Sequence, residues 1–200
     1  MKEESGIIHP ISRVLSDTAL MFCYHPEEFK VCDTVGAALK TMITAHMGDL
    51  RLLIGREGRQ SRAFDYLADV MAKRFGFHGR TVQEPTPRTI YGECIFEESY
   101  IGHRETHKPA FNPDFSADQV YDAIVPVVRM ALGDGDDIKV EERPNNDYAV
   151  FIDVPEEQTA IVTAINDLFF LLGKRNGRTL KVKTLNSKFE SEQRKRAGVA

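Results

Sequence analysis

The chain has 200 residues, 42% of them apolar, and a formal net charge of −4, enough apolar material for a real core in one or two domains. No run approaches the roughly 18 apolar residues of a membrane-spanning helix, and Met1–Ser5 lacks a signal-peptide pattern, so the expected location is the cytoplasm. Cys23, Cys32 and Cys94 are odd in number and widely spaced, which argues against a disulfide framework and suits a reducing compartment.

In chain order, His9-Pro10 reads as a turn, followed by a helix with Ile11, Val14, Leu15, Thr18, Ala19 and Phe22 on one face. Residues 30–35 and 39–45 flank Gly36 and suit a short hairpin. The stretch from Asp49 to Ile54 is long enough for one or two helical turns. Gly55-Arg56-Glu57-Gly58 follows, and then apolar residues at Ala63, Phe64, Leu67, Ala68, Met71 and Phe75 recur with helical spacing. Two glycines three apart allow a sharp turn and close approach of another backbone. A helix beginning near Arg59 would aim unpaired N–H groups and its positive dipole end at that loop. With Arg56, Arg59 and Arg62 beside it, the expected ligand is a phosphate; the alternative is a simple turn between two core helices.

The run Leu53-Ile54-Gly55-Arg56-Glu57-Gly58-Arg59-Gln60-Ser61-Arg62-Ala63 resembles the I-G-x-x-G core of KH domains, most closely the small bacterial KhpA-type and Jag-type proteins. His25-Pro26-Glu27-Glu28-Phe29 is similar to the end of that family's first helix, and Arg80-Thr81-Val82 stands where its last strand begins. The resemblance covers residues 10 to 86 in the prokaryotic (type II) order α-β-β-α-α-β. It implies that the loop, through Ile54 to Arg59 and Arg62, clamps about four nucleotides of single-stranded RNA or DNA. It also implies that Thr41 and Ile43 on the second strand face the bases. Glu57 departs from a family loop that often carries Lys, Arg or Gln.

After Val82, Pro85 and Pro87 interrupt regular structure, and residues 87–115 read as a linker with one strand between Thr89 and Phe96. His103 and His107 would share a helix face, but no fourth ligand completes a zinc pattern. Ser116 then caps a helix carrying Val120, Ile124, Val127, Val128 and Leu132, which Pro126 should kink. Strands at 138–143 and 148–154, a helix from Pro155 to Leu172 ended by Gly173, and a strand at 179–185 repeat the first unit's order. The roughly 20 residues between the last two strands leave no room for a glycine loop. The expected fold is therefore α+β: two tandem KH-like modules, 7–86 and 116–186, the second lacking G-x-x-G, and a basic tail, 187–200, expected to be disordered.

Charge is segregated. Residues 48–88 hold eight Lys and Arg against five Asp and Glu, and residues 161–200 hold nine against three. Lys174, Arg175, Arg178, Lys181 and Lys183 make a second candidate phosphate surface. No P-loop, G-x-S-x-G or H-E-x-x-H motif is present, so neither catalysis nor a cofactor or metal is expected. The expected function is single-stranded RNA binding, in bacterial RNA metabolism or the protection of a bacteriophage's transcripts. The alternatives are single-stranded DNA, or a KH-fold assembly protein whose residues 116–186 contact a second copy or another protein.

Overall fold

Pro10 opens the first helix because its ring presets φ and its missing N–H is one that a first turn does not use. Helix α1 is Pro10–Leu20; the His9 Nδ1 accepts the Ile11 N–H, and Ile11, Leu15, Thr18 and Ala19 are buried on one face. The structure, a computed structural model, describes residues 8–83, 86–99, 116–134, 138–144 and 147–185. His103, His107 and the basic tail at 187–200 lie outside the described residues. The chain divides into two compact units, Met1–His107 and Lys108–Ala200.

In the first unit, β1 (Lys30–Val35) and β2 (Leu39–Ala45) form the expected antiparallel hairpin, with Val31 opposite Ile43. The two-residue alternation of β2 buries Leu39, Thr41, Ile43 and Ala45. Helices α2 (Met47–Ile54) and α3 (Arg59–Arg74) then cross over to a strand parallel to β2. Asp49, fully buried on α2, accepts the Tyr24 N–H at 2.8 Å and the His25 N–H at 2.9 Å. Those bonds hold Pro26–Glu28 as a separate 3-10 turn. The segment that resembles the end of a first helix is thus detached from α1, which stops at Leu20.

The strand that completes this sheet differs from the expected one. Among the described residues, β3 (Arg80–Val82) pairs only with β4 (Arg88–Ile90), in a small antiparallel ribbon, while β5 (Gly92–Glu98) lies parallel to β2 with Thr41 opposite Cys94. Arg80 and Thr81 are exposed and Val82 is only half-buried, so β3 has little to offer a core, whereas β5 buries Gly92 and Cys94 and sets Phe96 against Phe64 at 5.2 Å. The expected linker therefore supplies an integral strand of the first unit, and the boundary at 86 is too early. The sheet order is β1-β2-β5.

The second unit begins with α4 (Ala117–Ala131), whose Ser116 and Gln119 form a reciprocal capping box. The helix continues through Pro126. β6 (Ile138–Arg143) and β7 (Asp147–Ile152) are antiparallel, and α5 (Thr159–Arg175) leads to β8 (Leu180–Thr184), parallel to β7. Gly173 lies inside α5 and does not end it: a Cβ there would stand 2.7 Å from the Leu180 backbone N, so this glycine lets β8 approach. Gly177, at φ 64°, is the left-handed residue beyond the helix end.

Both units thus have a helix, an antiparallel hairpin, a helical crossover and a parallel strand, with the second strand central in each sheet. The class is α+β. Among the described residues, no helix is long and apolar enough to cross a membrane.

Candidate nucleic-acid interface

The crossovers differ where the loop sits. In the first unit, α2 ends because Gly55 turns to φ 73°, ψ 178°, a conformation essentially restricted to glycine. A Cβ on Gly55 would also fall on the buried Gln60 side chain. Arg56–Gly58 makes one 3-10 turn, and Gly58, at φ 71°, starts α3. No side chain caps the start of α3 and no acid lies in its first turn; the nearest carboxylate is that of Glu57, in the turn just before it.

The loop projects into solvent. The Arg56 side chain is 94% exposed and that of Glu57 82%, with 3.7 Å between Arg56 Nε and Glu57 Oε1. An ion pair this open contributes little stability and is easily exchanged for another anion. Arg62 Nη1 donates to the Glu57 carbonyl at 2.5 Å, and the Ser61 hydroxyl donates to the Gly58 carbonyl at 3.1 Å, fixing the loop's far side. Ile54, 38% exposed, offers an apolar surface at its foot. Ile54, Gly55, Arg56, Glu57, Gly58, Arg59 and Arg62 are thereby brought together at one accessible turn.

Thr41 and Ile43 are not part of it. Both are 0% exposed; the Thr41 hydroxyl bonds that of Ser12 at 2.8 Å, and Ile43 belongs to the core. β2 is the central strand, and its alternation turns these two side chains inward, so neither can contact a base. The second candidate surface also divides. Lys181 and Lys183 alternate with the buried Leu180 and Val182, and so point to the sheet face away from α5, while Lys174 and Arg175 lie in the last turn of α5. Arg175 and Arg178 are half-buried. Five basic residues close in sequence do not form one patch.

Sequence reasoning missed the strip of α3 that carries Arg62, Asp65, Tyr66 and Asp69, which lines a cavity with Arg88 and Thr89 of β4. The signal was the spacing 62, 65, 66, 69, one helical face; its partner, the β3–β4 ribbon, was hidden in the apparent linker. Among the described residues, no group of His, Cys, Asp and Glu could hold a metal ion. None of the three cysteines is in a disulfide; Cys23 and Cys94 are buried and Cys32 is exposed.

The fold and this site define an α+β protein with an exposed glycine-bracketed turn between two helices. No protein-family model matches the chain, and no curated protein matches it.

Proposed function

We propose that this protein binds single-stranded RNA, gripping the sugar–phosphate backbone with the Gly55–Gly58 turn, and that its units are tandem type II KH-like modules of which only the first has the clamp. The observation that carries the reading is the exposed Gly-Arg-Glu-Gly turn at the uncapped start of α3, with Arg56 free to swing onto a phosphate and Arg62 bracing the loop. The parallel β2–β5 pair spanned by α2, the turn and α3 supports it. So does the repetition of this strand order in the second unit, where a single 3-10 turn, Glu156–Gln158, replaces the glycine loop.

The test is the double substitution Arg56→Asp, Glu57→Asp. Both side chains are exposed, and Asp tolerates the φ of 55° at position 57 better than Glu does, so the fold should survive. Loss of one charge-assisted phosphate contact and addition of a repulsive charge should weaken binding to a pool of RNA oligonucleotides at least about tenfold. With about three phosphates contacted, log K of the unmodified protein should fall with log salt at a slope near −2. Unchanged affinity in a variant that stays folded by circular dichroism would reject the clamp. Protein that purifies without nucleic acid and shifts no RNA would favour the protein-contact role for residues 116–186. Competition between matched RNA and DNA strands decides between the two nucleic acids, since a backbone clamp does not itself read the 2′-hydroxyl.

A further inference from the structure

Side chains alternate across the sheet of the second unit, and its register sorts them by face. Tyr148, Val150 and Ile152 of β7 share with Leu180 and Val182 of β8 the buried face, which packs on α5. On the other face, one row across the strands reads Lys139, Phe151, Lys183, and the next reads Glu141, Ala149, Lys181. Arg143 and Asp147 begin the third. The two outer strands thus bring four cations to one face, although they lie far apart in the sequence.

The cations stand in water, and the two carboxylates among them are engaged. The side chains of Lys139 and Arg143 are 63% and 45% exposed, and Lys181 and Lys183 are exposed as well. Glu141 Oε1 lies 3.1 Å from Lys139 Nζ and its Oε2 3.6 Å from Arg143 Nη2, while Asp147 Oδ1 accepts the Thr179 N–H at 2.8 Å. Among the described residues, Lys181 and Lys183 have no carboxylate within ion-pair distance. The apolar floor is closed: Phe151 and Ala149 are buried, and the Arg143 guanidinium carbon lies 5.8 Å from the Phe151 ring centre.

Charge selects the occupant. A second copy of this face would set cation against cation. A lipid surface is held by apolar side chains that insert as well as by charge, and Phe151 and Ala149 are closed to it. A chain of anions fits: alternate residues of a strand such as Lys181 and Lys183 stand about 7 Å apart, the step between phosphates of an extended strand. Lysine holds a phosphate as a point charge, without reading a base. We propose that the outer sheet face of the second unit is a sequence-blind site for the phosphate backbone of a single-stranded nucleic acid. Lys181 and Lys183 are its main contacts, and Lys139 and Arg143 flank them. The site is built from the second unit alone and does not need the Gly55–Gly58 turn.

The experiment titrates a long labelled oligouridine over a range of salt, following fluorescence anisotropy, with the full chain carrying Arg56→Asp and Glu57→Asp so that the turn is disabled. That chain should still bind. Adding Lys181→Gln and Lys183→Gln should weaken binding about tenfold at low salt and make the slope of log K against log salt shallower by about 1.4, the share of two contacts on a single strand. Arginine at both positions should keep the affinity within about twofold, and so should Lys174→Gln in the last turn of α5. Either single Lys→Gln change, expected to cost about threefold, is the reporter if the pair does not fold. No binding by the turn-disabled chain, when the unmodified protein binds, would overturn the sheet-face site and leave the clamp standing. An affinity that the folded Gln pair does not change, or an equal loss from Lys174→Gln, would overturn it too. So would a loss seen only with vesicles of anionic phospholipid, which would give the face to a membrane surface. Full affinity in the turn-disabled chain, lost with the Gln pair, would instead reject the clamp and keep this site.

Discussion

Glu57 is the only non-glycine with positive φ among the described residues, and it stands at the tip of the turn with its side chain in water. A left-handed non-glycine costs about 1 kcal/mol, tolerated here because the glycines on either side and the Arg62 bond to its carbonyl set the chain's path. Asp65 carries a cost of a different kind. Its pKa is raised from 3.8, first by burial and then by Glu93 and Asp69, with the Cys94 N–H and Arg88 opposing. Because the native carboxyl holds its proton to higher pH than the unfolded one, ionising it costs native-state stability. That cost is absent below the ordinary value of 3.8 and complete above the raised native value. Urea denaturation of Asp65→Asn beside the unmodified protein should show the variant gaining relative stability as pH rises through that window. A difference independent of pH would rule the cost out. Burial, first, and the neighbouring Asp65 also push the Cys94 thiol well above its usual range, so it should not be a reactive thiol.

At the scale of elements, the contact between α3 and β5 decides the first unit. Gly92 lies against the Ala68 carbonyl, and a Cβ there would come within 2.8 Å of Ala72 Cβ as well. Gly92→Ala should therefore lower stability by about 1–3 kcal/mol, the usual cost of overpacking, read as a lower urea midpoint. A neutral result would mean that α3 can lift off the strand without loss. The helices were legible because their apolar residues recur every three or four positions and local caps mark their starts, as Ser116 does for α4. The hairpin of β1 and β2 was legible from strand, glycine, strand. A parallel partner has no such local signature: β5 lies beyond α3 and the β3–β4 ribbon, and its pairing with β2 depends on Asp65, Asp69 and Gly92 meeting across the chain. Its residues read as a strand, but Pro85 and Pro87 made them look like a linker.

At the scale of the whole molecule, two units repeat one topology with different crossovers, and the glycine turn is present in one of them. A fragment ending at residue 86 lacks β5; it should leave one edge of β2 unpaired and Phe64 without its Phe96 contact, and show no cooperative melt by circular dichroism. A fragment ending at 107 should melt cooperatively, and cooperative melting of the shorter piece would contradict β5's place in the core. The amino-acid order by itself determined what depends on near neighbours: the helices, the hairpins, and a turn whose two glycines accept backbone angles closed to other residues. Tertiary structure alone decided which strand completes the first sheet, that Thr41 and Ile43 face inward, and that Asp65 and Asp69 meet Arg88 around a cavity. These are contacts between segments separated by many residues, set by which faces can be buried together, and no local pattern encodes them.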